Sequence, residues 1–480
     1  MDVKVQRSLV IPAPASQPSE EVPFTVFDLV TPPYHVTVLF AFTAPNPSNA
    51  ALLDALAATL PRFPLLTARL VDGRRPFFVA GALVVEAEVA TPLADHLPLA
   101  PSPCLDRLHA PLDDGGEEPA PHLLLVQINR FACGGLVVAS SSHHRAADGY
   151  SMSTFFQAWV DAVRSPPPQH PGQSPVPYGP GALTPRRPPR CEFQHRGAQF
   201  MPLPVSKNKD ADGEASSGNR PDDQPVLRVA PSEIANLTLH YTREFVAGLK
   251  AAAAAAQSHN SKYTTFETVS AHLWRKITAA RLHGADADAS DSSTRRPTSL
   301  NVSVNGRARL GPDTFPRGFF GNLVLTARTD KAGAGGPTTA GDLVRGTLAD
   351  AAAKVRAVDR RYFQSFIDFG ALHLHGGDEE VELEPNEDYL LLPDVAADSW
   401  LHLDLHRLDF GRGAGSSGSC RGRCRWMASS CSCPACRKRA GWTCSSRSTT
   451  SMPRSSGISL TPWTDHRRSN HHRPNYGMYE

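Results

Sequence analysis

The sequence predicts a mixed α/β protein, and three observations carry that reading. Apolar strand-like runs alternate with helix-periodic ones: "HVTVLFAF" from His35 is followed by "NAALLDALAATL", in which Leu52, Leu53, Leu56 and Leu60 share a helical face. The same alternation returns in the second half, where "SLNVSVNG" and "GNLVLTAR" read as strands and "GDLVRGTLADAAAKVRAV" as an amphipathic helix. A chain of 480 residues, 41% of them hydrophobic, is also long enough for two domains or more. The formal net charge of +2 argues against a broad nucleic-acid footprint or a polybasic membrane surface, so the expected partners are small molecules. No apolar stretch has the roughly 18 residues that span a bilayer, and "MDVKVQRSLVIPAPAS" lacks a signal-peptide core, so a cytoplasmic location is expected.

Taken in order, "HLLLVQIN" and "LVVASSS" are strand-like runs separated by "RFACGG", whose glycines suit a turn, so a hairpin leads into His143 and His144. After Gly149, Met152, Phe155, Phe156, Trp159, Val160 and Val163 recur at spacings of three and four, the mark of a helix with one buried face. The two histidines therefore fall between a strand and a helix. Proline dominates from Ser165 to Arg190 and polar residues from Ser206 to Pro225, which makes this region a linker or exposed crossover. Structure resumes with a strand at "LTLHYT" and a helix from "REFVAGL". A second helix carries Phe266, Val269, Leu273, Trp274 and Ile277, with Thr264 and Glu267 spaced as a capping box at its start.

A neutral imidazole, with a pKa near ~6.5, takes a proton at neutral pH when held in a loop beside a cleft. His143 and His144 are both candidates, against the alternative of a packed or solvated histidine; Asp148 is placed to orient a ring, cap the helix or form an ion pair. His143, His144 and Asp148 make only a partial metal set without the H-E-x-x-H pattern. The chain also lacks a G-x-S-x-G nucleophile turn and a phosphate loop, so neither a metal nor a bound cofactor is expected.

"HHRAADG" resembles the H-x-x-x-D-G motif of the plant BAHD acyltransferases, which move an acyl group from coenzyme A to an alcohol or amine. "FTVFDLV" resembles the family's early signature with Asp28 in register, and "TTFETVSAHLWRKITAAR" its second-domain helix. "VNGRARL", "RGFFGN" and "LDFGRG" resemble the D-x-R-x-R, Y-F-G-N and DFGWG segments, in the family's order from about residue 4 to Gly413. The resemblance implies two chloramphenicol-acetyltransferase-like domains, residues 1–190 and 231–412, joined by a crossover at 191–230 and flanking a tunnel that His144 faces. It implies acyl-CoA as cosubstrate with no bound cofactor, a monomer, His144 as general base and Asp148 as a structural partner of Arg307, or secondarily Arg309. Gly149, Thr265, Arg307, Asn322, Asp398 and Trp400 map to substrate-contacting positions; Asp28, Arg309, Asp409 and Gly411 map to structural ones. "CEFQHRGAQF", "FACGGLVV" and "YFQSFIDFG" look like grass hydroxycinnamoyltransferases acting on agmatine, putrescine or tryptamine, in which case Asp394 and Asp398 are candidates to hold a cationic acceptor. A benzoyl donor and alcohol acceptors stay open.

Two departures stand out. Asn305 replaces the usual aspartate, and Arg412 stands where tryptophan is expected. From 413 to 480 apolar periodicity disappears, arginine and serine abound, and cysteines cluster between Cys420 and Cys444. Shifted back one base with GC-rich codons, "RWMASSCSCPAC" reads "VDGLVVLVPSL", a strand of the kind the family places there. The tail is thus expected to be a frameshifted, disordered segment that leaves the second domain incomplete, with a catalytically inactive relative as the alternative function.

Overall fold

The computed structural model describes residues 1–13, 23–71, 75–77, 81–97, 99, 103–111, 122–165, 174–202, 239, 241–255, 263–283, 299–311, 313–329, 350–374, 383–385, 394–411 and 426–432. Its largest sheet has six strands in the order Val3–Ile11, Ala82–Val89, Leu124–Phe131, Leu136–His143, His35–Phe42 and Trp426–Ser432. Every pairing is antiparallel except that of Ala82–Val89 with Leu124–Phe131. The hairpin forms as the glycines predict: Gly134 turns at φ +78°, and Leu136–His143 runs back beside Leu124–Phe131.

Residues 136–143 are buried on both faces, which explains an apolar run rather than an alternating one. On one face Phe40, Val126 and Val138 pack against Leu52 and Leu56 of the helix Asn49–Thr59, and against Phe155 and Trp159 of the helix Gly149–Arg164. The Trp159 indole N–H donates to the carbonyl of Leu52 at 2.9 Å. On the other face Leu39, Val137 and Ala139 lie with Leu93 and Leu108.

A smaller sheet sets Leu300–Asn305 between antiparallel Val324–Arg328 and parallel Val395–Ala397. Trp274, from the helix Thr265–His283, and Ala351 pack with Leu300, Val302 and Val395. Against Val304 and Leu325 lie Phe363, Phe366 and Ile367 of the helix Arg360–His373, together with Val26 and Phe27 from the short helix Val26–Leu29. Phe27 meets the Phe366 ring edge-on at 5.2 Å. A segment that links two strands of the first sheet, Val3–Ile11 and His35–Phe42, therefore completes the core beside the second.

The capping box at Thr264 forms, with Glu267 accepting from the Thr264 N–H at 2.8 Å. Of the strand expected at 237–242, residues 239, 241 and 242 are described and are not in a strand, while the others lie outside the described residues, as do 341–349 of the helix expected from Gly341, whose residues 350–357 are helical. The sequence reading had no helix at Arg360–His373, although Asp359 caps it and Phe363, Phe366, Ile367 and Gly370 recur with helical spacing. Disorder was expected throughout the tail; instead Trp426–Ser432 forms a strand along His35–Phe42. Ladder pairing uses backbone groups, so a sheet edge accepts a strand with little regard to its side chains. The rest of 413–480 lies outside the described residues, as does Arg412.

Candidate active site

The sheet register puts His35 opposite His143 and thereby brings Tyr34 beside His144. Residues 144–147 then form the turn into the helix Gly149–Arg164, capped by Asp148, whose Oδ1 accepts from the Ser151 N–H at 2.9 Å. The adjacent histidines separate at this turn. His143 is buried, its ring edge-on to His35 at 5.1 Å and its Nδ1 accepting from the Arg145 N–H. Burial first, then the neighbouring His35, Arg145 and His144, holds its pKa well below the ordinary histidine value. His143 is thus a neutral core residue.

His144 is half-exposed. Its N–H donates to the carbonyl of Tyr34 at 2.7 Å, and its own carbonyl accepts from Asn322 Nδ2 at 2.8 Å. The backbone is therefore clamped from both sides. Nδ1 is buried without a partner, which leaves Nε2 as the nitrogen able to meet a substrate.

Asp148 faces away from this ring. Its Oδ2 accepts from Arg307 Nη1 at 2.6 Å and from the Leu323 N–H at 3.0 Å. Both side chains of this ion pair are over 90% buried. Its Nη2 donates to Ser151 Oγ and the Gly321 carbonyl, and the guanidinium lies under the Tyr150 ring, 4.7 Å from its centre. Arg307, expected to meet substrate, is turned inward as the strut between helix and loop. Asn305 caps its turn by accepting from the Arg307 N–H at 2.9 Å, a task asparagine performs as well as aspartate.

Asn322, also expected to meet substrate, is a second strut. Its Nδ2 points at three acceptors, Asp28 Oδ1 and the carbonyls of His144 and Arg145, which fixes the orientation of the amide. Asp28 also accepts from the Asn322 N–H and from Thr25, and burial pushes its carboxyl up to about 6.

Arg309 donates to the carbonyl of Val355. Asp409 accepts from the N–H of Gly411, which adopts φ +79°, while the intervening Phe410 packs between Phe42 and Trp159. Gly149 is exposed, and a Cβ there would lie 3.0 Å from Leu403. Thr265 and Trp400 are half-buried and Asp398 is exposed; among the described residues no hydrogen bond joins them to the His144 loop.

One expectation fails outright. Asp394 accepts from Arg328 at 2.7 Å and from the Ser299 N–H, with its side chain 5% exposed, so it is committed to the second sheet rather than to a cationic acceptor. Two clefts share Thr184: one of about 710 Å³ lined by prolines, Tyr178 and Phe315, and one of about 330 Å³ bordered by Arg186, Arg360 and Arg361. Neither is lined by His144. Sequence reasoning missed Tyr34 and Ser151; only the position of Ser151, three residues past the cap, signalled its place in the network.

The chain is 35% identical over 428 residues to putrescine hydroxycinnamoyltransferase from Oryza sativa subsp. japonica, covering 86% of this chain and 89% of that one. Agmatine hydroxycinnamoyltransferase 1 from the same species is 36% identical, with 83% and 84% covered. The fold is similar to F. graminearum TRI101, solved with ethyl coenzyme A, with a TM-score of 0.51 and 14% identity, covering 85% of this chain and 89% of that one. The model of the Transferase family matches residues 1–420, and the chain accordingly belongs to that family, the BAHD acyl-CoA-dependent acyltransferases.

Proposed function

We propose that the chain transfers a hydroxycinnamoyl-type group from coenzyme A to an amine, with His144 as the general base. The observation that carries this reading is the division of labour in the turn: His143 is buried and Asp148 is tied to Arg307, which leaves the Nε2 of clamped, half-exposed His144 as the group able to move a proton. The amine attacks the thioester carbonyl as its nitrogen gives a proton to His144 Nε2; the tetrahedral adduct collapses to amide and thiolate, and the imidazolium returns the proton to sulfur. No covalent acyl-enzyme is required.

The similarity to putrescine and agmatine hydroxycinnamoyltransferases supports an amine over an alcohol. Of the two acidic candidates for a cationic acceptor, exposed Asp398 remains. We read the two sheets as two domains whose junction, at Asp148 and Arg307, borders the reaction path. An inactive relative receives no support from the comparisons, which follow the family through residue 420.

The test is a panel of hydroxycinnamoyl-CoA and benzoyl-CoA donors against agmatine, putrescine, tryptamine and an alcohol, run with His144→Ala and His143→Ala. Amide formation that His144→Ala abolishes and His143→Ala only weakens is the expected result. An active His144→Ala variant overturns the assignment.

A further inference from the structure

A histidine acting as base is ordinarily oriented by a second group that hydrogen-bonds its other ring nitrogen. Among the described residues His144 has no such group: Nδ1 is buried and unpartnered, and both oxygens of Asp148 are taken by Arg307, Ser151 and Leu323. The clamps at the His144 N–H and carbonyl hold its backbone and make no bond to the ring. Among the described residues, Tyr34 packs against the ring, with centroids 5.6 Å apart and planes at 77°.

We infer that Tyr34 is the positioning residue of the general base, an aromatic ring in the place of a hydrogen-bonding orienter. This rests on His144 being the base. The sheet supplies the geometry: register places Tyr34 beside His144, its carbonyl holds the His144 N–H at 2.7 Å, and Thr31, three residues earlier, accepts from Arg145 at 3.2 Å. One short segment thus holds the backbone of the reacting loop and packs its side chain. The aromatic contact has a second effect. In the transition state His144 becomes a cation with, among the described residues, no carboxylate on its ring, and the face of an aromatic ring within about 6 Å attracts such a charge. Ordering the ring and favouring the imidazolium act on the chemical step and leave substrate binding untouched.

Replacing Tyr34 with leucine keeps most of the bulk and removes the quadrupole. The expected result is a fall in kcat on the order of ten-fold, with KM for donor and acceptor and the melting temperature unchanged, and with most of the rate restored by Tyr34→Phe. Tyr34→Met, whose side chain adapts to irregular space, repeats the test if the branched leucine lowers the melting temperature. A Tyr34→Leu or Tyr34→Met enzyme with full kcat, measured where His144→Ala is inactive, overturns the inference. So does a change confined to KM, or a Tyr34→Phe variant as slow as the leucine one, which assigns the effect to the hydroxyl. An active His144→Ala enzyme, by contrast, removes the base itself and is recognised separately.

Discussion

Asp148 and Asp368 are two buried aspartates that do similar chemistry with different consequences. Each carboxylate is under 5% exposed, holds an arginine and accepts backbone N–H groups: Ser151 and Leu323 for Asp148, Arg186 and Arg190 for Asp368. The partners differ. Arg307 is 8% exposed and reaches Asp148 across the gap between the helix after the first sheet and the loop after Leu300–Asn305. Arg186 is 30% exposed and belongs to the irregular crossover, which Asp368 and Ser365 pin onto the helix Arg360–His373. The first clamp sets the turn that carries His144; the second sets the path of a connecting segment. Carboxylate burial and hydrogen-bond count do not separate them, whereas what each partner is attached to does.

Breaking the first clamp has the largest expected effect. Asp148→Ala strands a buried guanidinium and two backbone donors, a loss of about 3 to 5 kcal/mol. Thermal melting should show that loss together with a fall in kcat, because the His144 turn is released. Asp148→Asn, which still caps the helix, should recover part of the stability. An Asp148→Ala enzyme that melts like wild type but is inactive would assign Asp148 a direct part in proton transfer.

Acid should weaken the region around the second clamp next most strongly. His195, which bonds Ser365 at 3.0 Å, and His272 on the helix Thr265–His283 are held neutral by burial, their pKa values lowered to about 4, and His143 is lowered as well. A histidine lowered in the folded state binds its proton first in the unfolded chain, so stability is complete above about 6.5 and falls as pH drops toward 4. At pH 5 the loss is about 2 kcal/mol for each of His195 and His272. Asp28 opposes this: its carboxyl, raised to about 6, binds a proton first in the folded state and returns about 1 kcal/mol over the same range. Melting temperature should fall between pH 7 and pH 5, and less steeply in His195→Phe. A flat profile would show these rings to be solvated.

Much of this was legible in the sequence, and the reasons are local. The periodicity from Met152 to Val160 and the apolar run ending at His143 depend on neighbours in the chain, so the strand, turn and helix around the histidines could be read directly. So could the order of the family's segments. What each side chain touches was not legible. Arg307 and Asn322 looked like substrate residues because they lie in motif segments, yet their acceptors are 150 residues or more away in the chain, at Asp148, Asp28 and His144. Asp394 read as a candidate to hold a cationic acceptor because nothing in "DVAADSW" announces Arg328. Tyr34 was missed because its relation to His144 exists only through strand register.

Asp368→Ala should cost less than Asp148→Ala and, unlike it, should spare the chemistry. The carboxylate accepts from the Arg186 and Arg190 N–H groups at 2.8 Å each, so its removal leaves these donors unpaired at a cost of about 1 to 3 kcal/mol, while Arg186 can still turn toward water and Glu192. Activity per folded molecule, assayed well below the melting temperature, should match wild type. A loss of kcat on the scale of Asp148→Ala would mean that the crossover positions the reacting loop after all, and the contrast between the clamps would collapse.

The smallest effect is expected at Arg360, which lies beside the second clamp and pairs with a carboxylate without its burial. It meets Asp313 at 2.5 Å, yet the two side chains are 54% and 65% exposed. Water already solvates both charges, salt screens them, and fixing two long side chains has an entropic cost, so exposed pairs of this kind contribute about 0 to 1 kcal/mol. Arg360→Ala should leave the melting temperature within a degree or two of wild type, and what change there is should vanish in high salt. If it destabilises as much as Asp368→Ala, the pair belongs to a cooperative network with Arg361, Glu192 and Arg186, and a double variant with Asp313→Ala would show a coupling larger than the single losses.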